Sequence, residues 1–317
     1  MNSNINLKDY KLIKTLTEHE NHITRVIILK DLRLCSSSFD GLIKIYDKET
    51  YETLLTIREH NFIVNYINQL KNNQLISCGN DKTIIIYDLL PENKYKIIQK
   101  LIGHKTQIFK VLESEIFENT LFSCCNNGEI FLWEKKQIDN NNYYLNLRIK
   151  CEDDKYSIND IIENKKRKIL IGNCYPSKIV YFFNLNNNEF NIMKKFQMEN
   201  YPNQIYFITE DILAITGKEN VYLYNLDTYE NYFIFKAKEW VTCFYTLSDG
   251  SILIGKGNGV EHVYYQPNEN KLIFLESIDD KDNFWGVASI VENNKNDLIF
   301  GLRDRKIRIW SKINKNE

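Results

Sequence analysis

Three histidines recur in the first third of the chain, and each opens the same pattern of polar and aromatic residues. His19, His60 and His104 are separated by 41 and 44 residues. Two short apolar runs follow each histidine, and then come a polar turn and an alternating run that ends in an aromatic residue. A serine lies four residues before the turn residue and the aromatic six after it, at Ser36, Asp40 and Tyr46, at Ser77, Asp81 and Tyr87, and at Ser123, Asn127 and Trp133. Fixed offsets in three successive units indicate a repeat protein.

The length of this repeat limits the fold to a narrow class. Each unit is typical of four strands of about five to eight residues separated by turns. One such unit cannot bury both of its faces, so several must stack, and a period near 40 residues indicates a β-propeller. The closing aromatic recurs at Phe183, Tyr224, Tyr264 or Tyr265, and Trp310. We therefore predict an all-β chain that forms a seven-bladed β-propeller.

Several segments resemble WD40 repeats. They are residues 36–47, 77–88 and 298–312, together with Gly103–His104 followed by Trp133. The resemblance covers nearly the whole chain, but it is weak in the fourth to sixth units, which lack the histidine and the turn aspartate. It implies that the histidine, serine, aspartate and aromatic of a blade form a buried hydrogen-bonded network. The implied networks are His19, Ser36, Asp40 and Tyr46; His60, Ser77, Asp81 and Tyr87; and His104, Ser123 and Trp133, with Asn127 replacing the aspartate.

We expect a single domain over residues 1–317 that closes on itself. The predicted blades span about residues 19–59, 60–103, 104–154, 155–200, 201–238, 239–281 and 282–314. The last blade holds three strands, and residues 10–18 match the fourth-strand segments of blades 1 and 2. The N-terminal strand is therefore predicted to complete the last blade, which would remove an open sheet edge.

Charge and composition narrow the classes of partner. A net charge of -1 and a pI near 6.6 create no overall field for nucleic acid or an anionic membrane. No signal peptide or stretch of about 20 apolar residues is present in the sequence, so we expect a cytoplasmic or nuclear protein that binds no membrane. Seven cysteines without CxxC spacing favour buried, reduced thiols over disulfides or zinc.

No residue pattern in the sequence indicates catalysis. The GxSxG, HExxH and P-loop motifs are absent from it. Of the five histidines, His22 and His262 lie outside the implied networks and far apart in sequence. The glycines of residues 255–259 favour a tight turn over a phosphate site, because no predicted helix follows them. We predict a protein that is not an enzyme and uses no cofactor or metal.

Two basic segments leave alternatives open. Residues 165–168 (KKRK) are either a solvated turn or a nuclear-import or nucleic-acid patch, so nucleic acid remains at most an indirect partner. Arg303 and Arg305 flank Asp304 at a predicted turn of blade 7, where a partner contact is the alternative to a solvated turn. The paired-arginine FRRG motif of phosphoinositide-binding propellers is absent, which argues against membrane binding.

The resemblance also implies a partner-binding face. In WD40 propellers, partners bind the loops that precede the first strand and follow the second strand of each blade. Alignment to the repeat places on that face Arg25, Phe39, Tyr66, Lys110, Phe207, Trp240, Trp285 and Arg303. Aromatic and arginine side chains dominate interface energies, although each aromatic could instead belong to the strand core.

Together these features predict a monomeric scaffold or adaptor that binds proteins or peptides through one propeller face. The alternative is a permanent structural subunit of a larger complex, such as a coat, pore, splicing or ribosome-associated particle. The fold does not decide between them, since propellers host many functions.

Overall fold

The computed structural model describes residues 5–136, 142–151, 156–186, 190–237, 239–279 and 286–313. Within them the chain forms 28 strands in seven four-stranded sheets, and a short 3-10 helix at Leu7–Asp9. The predicted all-β, seven-bladed propeller is confirmed, and each sheet is one blade. The blades fall into two compact units: unit 1 comprises residues 1–58 and 211–317, and unit 2 comprises residues 59–210.

Unit 1 contains the first five strands. The N-terminal strand is β1 (Tyr10–Leu16). Blade 1 consists of β2 (Ile23–Ile28), β3 (Leu34–Ser38), β4 (Ile43–Tyr46) and β5 (Thr53–Ile57).

Unit 2 contains blades 2, 3 and 4 and the first strand of blade 5. Blade 2 consists of β6 (Val64–Gln69), β7 (Leu75–Gly79), β8 (Thr83–Leu90) and β9 (Lys94–Ile102). Blade 3 consists of β10 (Ile108–Glu113), β11 (Thr120–Cys125), β12 (Glu129–Lys135) and β13 (Tyr143–Lys150). Blade 4 consists of β14 (Ser157–Asn164), β15 (Ile169–Tyr175), β16 (Ile179–Asn184) and β17 (Ile192–Gln197), and β18 (Pro202–Thr209) follows it.

Unit 1 also contains the remaining strands. The other strands of blade 5 are β19 (Ile212–Gly217), β20 (Asn220–Asn225) and β21 (Asn231–Lys236). Blade 6 consists of β22 (Cys243–Thr246), β23 (Ile252–Gly255), β24 (Gly259–Gln266) and β25 (Lys271–Asp279). Blade 7 consists of β26 (Val287–Glu292), β27 (Leu298–Leu302), β28 (Ile307–Lys312) and β1.

Burial differs along each blade, and the sequence shows why. The second strand β7 reads LISCG, and all five residues are buried because neighbouring strands and blades cover both faces. The fourth strand β9 reads KYKIIQKLI, and exposed residues alternate with half-buried ones over most of its length. This period of two identifies a strand with one face in water. Each blade therefore has buried middle strands and a solvated outer strand.

The N-terminal strand closes blade 7, as predicted. Strand β1 pairs antiparallel with β28, so that Tyr10 faces Lys312 and Leu16 faces Ile307. Leu7 and Tyr10 are buried in one hydrophobic cluster with residues of blades 6 and 7, among them Trp310. The outer edge of β28 is thereby covered within unit 1, which protects it from pairing with other chains.

Candidate partner-binding face and the networks beneath it

A buried histidine joins two turns at one end of blade 1. His19 Nδ1 lies 2.7 Å from Asp40 Oδ2, and its Nε2 lies 2.8 Å from Ser36 Oγ. A carboxylate only accepts hydrogen bonds, so Nδ1 donates to Asp40 and Ser36 donates to Nε2; the Tyr46 hydroxyl lies 3.2 Å from Ser36 Oγ. Burial raises the pKa of Asp40, but the hydrogen bond and charge of His19 lower it, and the net shift is downward. The network fastens the loop before β2 to the turn after β3.

Blade 2 repeats this arrangement. His60 Nδ1 lies 2.8 Å from Asp81 Oδ2, His60 Nε2 lies 2.7 Å from Ser77 Oγ, and the Tyr87 hydroxyl lies 3.2 Å from Ser77 Oγ. Asp81 also accepts a hydrogen bond of 2.7 Å from the Thr83 hydroxyl. The offsets of the sequence repeat thus bring together four side chains that are far apart in the chain.

Blade 3 lacks the aspartate, and its network is shorter. His104 Nε2 lies 2.7 Å from Ser123 Oγ, which also accepts a 2.9 Å hydrogen bond from Trp133 Nε1. Asn127 is turned to other groups, since its Nδ2 donates to Glu129 Oε2 at 2.8 Å. Among the described residues, the buried Nδ1 of His104 has no hydrogen-bond partner. The histidine is therefore held at one nitrogen instead of two.

This difference changes the acid-base behaviour of His104. Burial, assisted by the nearby charge of Arg148, lowers the pKa of His104 from 6.5 to about 3. Its ring stacks on Phe131 with a centroid distance of 3.8 Å, so an apolar face replaces the carboxylate that blades 1 and 2 provide. The folded protein keeps this imidazole neutral at every physiological pH.

Blade 6 contains a buried polar network that the sequence did not predict. His262 Nε2 lies 2.7 Å from Ser251 Oγ, and its Nδ1 lies 3.2 Å from Glu276 Oε1. Glu276 Oε1 also accepts a 2.6 Å hydrogen bond from the backbone N–H of Leu7. The Ser251 hydroxyl donates to Asp249 at 2.6 Å and is fully buried, so it is no nucleophile. His262 instead helps to hold the N-terminal segment against blade 6.

Sequence reasoning left His262 without a role because it lies on the third strand, β24, outside the repeat offsets. The sequence does contain a local signal for one part of this network. Asp249 precedes Ser251 by two residues, a spacing typical of an aspartate that caps a turn. The partner carboxylate, Glu276, lies on β25, and only the register between β24 and β25 brings it opposite His262.

In the described part of unit 1, the exposed side chains at the end where first strands begin and second strands end include three of the predicted face residues. Phe39 lies in the turn after β3, Arg303 in the turn after β27, and Trp240 in the loop before β22. Phe39 is 41% exposed and Trp240 48%, and Arg303 is also exposed. Each of the three therefore offers contact area to a partner without leaving a core.

Contacts within unit 1 connect Phe39 to Arg303 through His22. The His22 ring meets the Phe39 ring edge-on, with a centroid distance of 5.4 Å. Its Nδ1 donates a hydrogen bond to the backbone carbonyl of Arg303, and the Phe39 N–H donates to the carbonyl of His22 at 2.9 Å. The sequence placed His22 outside the networks and just before the first strand of blade 1, and the structure gives it this connecting role.

Arg303 is in turn connected to blade 6. Its backbone N–H donates to the carbonyl of Gly286 at 2.9 Å, and the Gly286 N–H donates to the carbonyl of Gly257 at 2.5 Å. Gly286 has a φ of +66°, and a Cβ there would lie 2.7 Å from Arg303 Cδ. Glycine is required at this position because the arginine stem passes directly over the backbone.

The last part of this surface leads to Trp240. Glu239, its neighbour in sequence, accepts hydrogen bonds from the backbone and side chain of Asn258 at 2.9 and 3.2 Å. The loop that carries Trp240 is thus bound to the turn that contains Gly257. We call this continuous surface the unit 1 rim; it consists of Trp240, Asn258, Gly286, Arg303, His22 and Phe39.

Arg25 lies behind the unit 1 rim and is half-buried. Burial raises the pKa of the Cys243 thiol to about 12, although the charges of Arg303 and Arg25 act to lower it. Two guanidinium groups therefore act on the same buried thiol.

In unit 2 two of the predicted face residues, Tyr66 and Lys110, contact one another. Lys110 Nζ lies 2.6 Å from Asp160 Oδ1 and 5.6 Å from the centre of the Tyr66 ring. Asp160 Oδ2 accepts a 3.0 Å hydrogen bond from the N–H of Ile205. Tyr66, Lys110 and Phe207 are all half-buried. Lys110 is thus committed to an internal ion pair, and the polar groups here tie the first strands of successive blades together.

The same end of unit 2 also carries two exposed tyrosines that the sequence reasoning missed. Tyr175 and Tyr201 are each 45% exposed, and their ring centroids lie 5.3 Å apart. Lys178 Nζ lies 5.0 Å from the centre of the Tyr201 ring. The fourth blade lacks the repeat signature, so no offset pointed to Tyr175. Trp285, which the sequence placed on the face, lies outside the described residues.

The structure also locates the basic residues 165–168 and the seven cysteines. Residues 165–168 form the turn between β14 and β15, and Lys166 pairs with Glu210 at 3.5 Å. All seven cysteines are free and buried. No group of His, Cys, Asp or Glu side chains in the described ranges is arranged to hold a metal ion, and no helix in those ranges is long and apolar enough to cross a membrane.

Comparison with known proteins agrees with this architecture. A family model described as "WD domain, G-beta repeat" matches residues 10–47 and 51–88. The chain carries WD40 repeats in a seven-bladed β-propeller. The crystal structure of the WD40 beta propeller domain of Doa1 superimposes with a TM-score of 0.76 over 96% of this chain and 97% of that one, and its 16% identity shows a shared fold.

Two curated relatives illustrate how far sequence similarity extends among WD40 proteins. The chain is 32% identical over 79 residues to "Protein transport protein SEC13" of Lodderomyces elongisporus, a match that spans a quarter of each protein. It is 22% identical over 314 residues to "WD repeat-containing protein 89 homolog" of Dictyostelium discoideum, covering 95% of this chain and 74% of that one. WD40 propellers in general bind other proteins, and they serve as non-catalytic scaffolds.

Proposed function

We propose that this WD40 protein is a non-catalytic scaffold or adaptor, and that proteins or peptides bind it at the unit 1 rim. The observation that carries the proposal is the continuous run of contacts linking Trp240, Arg303 and Phe39, all exposed, in unit 1. Residues of these types supply most of the binding energy in measured interfaces. The protein acts as a monomer in the cytosol or nucleus under this proposal.

The rim side chains are well placed for binding because their backbone is held without them. Phe39 is fixed by its N–H bond to His22 and by the network of Asp40 beneath it. Arg303 is fixed by its backbone bond to Gly286. A rigid backbone lowers the entropy that a binding loop loses when a partner docks.

The test is the double change Trp240→Ala with Arg303→Glu. We expect recovery of partners by affinity purification and mass spectrometry to fall at least tenfold, which corresponds to about 1.4 kcal/mol. The circular dichroism spectrum should not change, because both side chains are exposed. The matched control is Phe274→Ala with Lys236→Glu, which removes an exposed aromatic and reverses a charge on the outer strands β25 and β21. If the Trp240→Ala, Arg303→Glu protein still captured its partners fully and the control protein lost them, the binding surface would lie elsewhere.

A second candidate function is that of a permanent subunit in a larger complex. We retain it because part of the chain is similar to proteins named for protein transport. The two functions differ in how the protein exists in the cell. Gel filtration of native extract should show the scaffold as a free monomer in exchange with partners. Elution of all the protein in one large particle, resistant to dilution, would favour the subunit.

A further inference from the structure

Arg303 and Arg305 are two exposed guanidinium groups on one turn of blade 7. Asp304 between them points back into the protein, where Arg308 binds it at 2.9 Å and Lys306 lies 3.9 Å away. Neither Arg303 nor Arg305 makes a side-chain hydrogen bond or ion pair with another residue in the described ranges. In this turn the Asp304 carboxylate is therefore paired with Arg308, whereas the Arg303 and Arg305 guanidinium groups face the solvent.

The nearby carboxylates of the rim do not neutralise these cations. Asp40 is bound by His19 and by the N–H groups of Glu20 and Leu42. Glu239 is bound by Asn258. Both carboxylates are turned towards the loops that they hold in place, and neither forms an ion pair with Arg303 or Arg305.

Two exposed acids, Glu18 and Glu20, also occur at this end of blade 1, but they lie at the start of the loop that leaves β1. That loop runs from the outermost strand of blade 7 to the first strand of blade 1. Arg303 lies instead beside the later part of the loop, where it meets His22. In the described part of the chain, Arg303 and Arg305 therefore present exposed guanidinium groups without an ion-pair partner, and Arg303 lies between Phe39 and Trp240 along the rim.

We propose that the unit 1 rim, together with the adjoining Arg305, binds an acidic peptide segment, in which aspartate or glutamate carboxylates pair with Arg303 and Arg305 and neighbouring apolar side chains contact Phe39 and Trp240. A guanidinium group binds a carboxylate through two parallel hydrogen bonds, and this geometry suits a planar side-chain acid. The inference rests on the proposed function and adds the chemistry of the partner to it.

The experiment is selection of random 12-residue peptides, displayed on phage, against the full-length protein. The comparison protein carries Arg303→Glu and Arg305→Glu and is called the rim variant. The matched control carries Lys236→Glu and Lys271→Glu on outer strands. We expect peptides enriched in Asp and Glu beside an aromatic or aliphatic residue. Synthetic copies should bind the protein and the control equally, bind the rim variant at least tenfold more weakly, and lose affinity as salt rises.

Charge exchange makes the test specific. Copies of the best peptide with lysine at the acidic positions should bind the rim variant and not the original protein. Selection of neutral or basic peptides, no selection at all, or equal binding of acidic peptides to the rim variant would overturn the proposal. So would a phosphoserine copy that binds when the glutamate copy does not. If partner capture still depends on Trp240 in those cases, the proposed scaffold function stands and only its acidic partner is refuted.

Discussion

Acid should destabilise this protein through His104 in particular. In the folded state burial lowers the pKa of His104 to about 3, whereas an unfolded histidine titrates near 6.5. Below about pH 6.5, His104 is therefore protonated in the unfolded chain and remains neutral in the folded protein. Stability that is fully present above that pH is lost progressively as the pH falls towards 3.

The size of the effect follows from the pKa difference. Each pH unit between the two values costs about 1.4 kcal/mol of unfolding free energy, so lowering the pH from 6.5 to 5 costs about 2 kcal/mol. The variant His104→Gln removes the titrating group and keeps a side-chain amide that can reach Ser123. It should lose about 2 kcal/mol less than the original protein over this interval.

The assay is urea unfolding at pH 7 and pH 5, followed by tryptophan fluorescence. The quantity of interest is the difference between the two pH values for each protein, which cancels the cost of the substitution itself. Val111→Ala is the matched control, because it weakens the same region but keeps His104. It should show the full acid loss of the original protein. Equal acid losses in His104→Gln and the original protein would refute the argument.

Two further predictions concern the networks and the closure of blade 7. His60→Ala should lower the unfolding free energy by about 1–3 kcal/mol, because it removes the buried partner that Ser77 and Asp81 share, whereas His22→Ala should be nearly neutral; urea unfolding distinguishes them, and equal small effects would contradict separate roles. Deletion of residues 1–17 should unfold or oligomerise the protein by exposing the edge of β28, and a deletion variant that remains monomeric by size-exclusion chromatography with an unchanged melting temperature would contradict that role of β1.

The fold could be predicted because the repeat combines two independent signals. Alternating apolar runs fix four strands per unit, and the polar positions fix the same turn in each of the first three units. The polar residues recur at fixed spacings because a buried histidine and aspartate must be hydrogen-bonded to each other. Substituting one of them leaves the other without its partner and destabilises the fold. The closure by β1 followed from the same counting, since blade 7 lacked a strand and residues 10–18 matched the missing one.

The parts that could not be predicted depend on contacts between strands that share no sequence signal. The pairing of Lys110 with Asp160 joins blades 3 and 4, and nothing in the repeat identifies an acid at position 160 as its partner. The tether of Leu7 to Glu276 joins the N-terminal segment to β25, which lies more than 260 residues away. Such pairs become neighbours only when the blades stack, so a single sequence does not reveal them.

The irregular blades nevertheless obey the rule that shaped the regular ones. Blade 6 lacks the histidine before its first strand, but it places His262 on its third strand and satisfies it with Ser251 and Glu276. Blade 4 lacks a histidine network as well, and there Asn173 accepts from the backbone N–H of Asp160 at 2.8 Å. In blade 4 this bond lies near the end where the second strand finishes, whereas in blade 6 the network lies towards the opposite end and holds the N-terminal segment. The side chains of Phe39, Arg303 and Trp240 are exposed and take no part in these networks, so we expect them to tolerate substitution without unfolding the blade. A surface that varies freely on a fixed support is what a scaffold requires to acquire a specific partner.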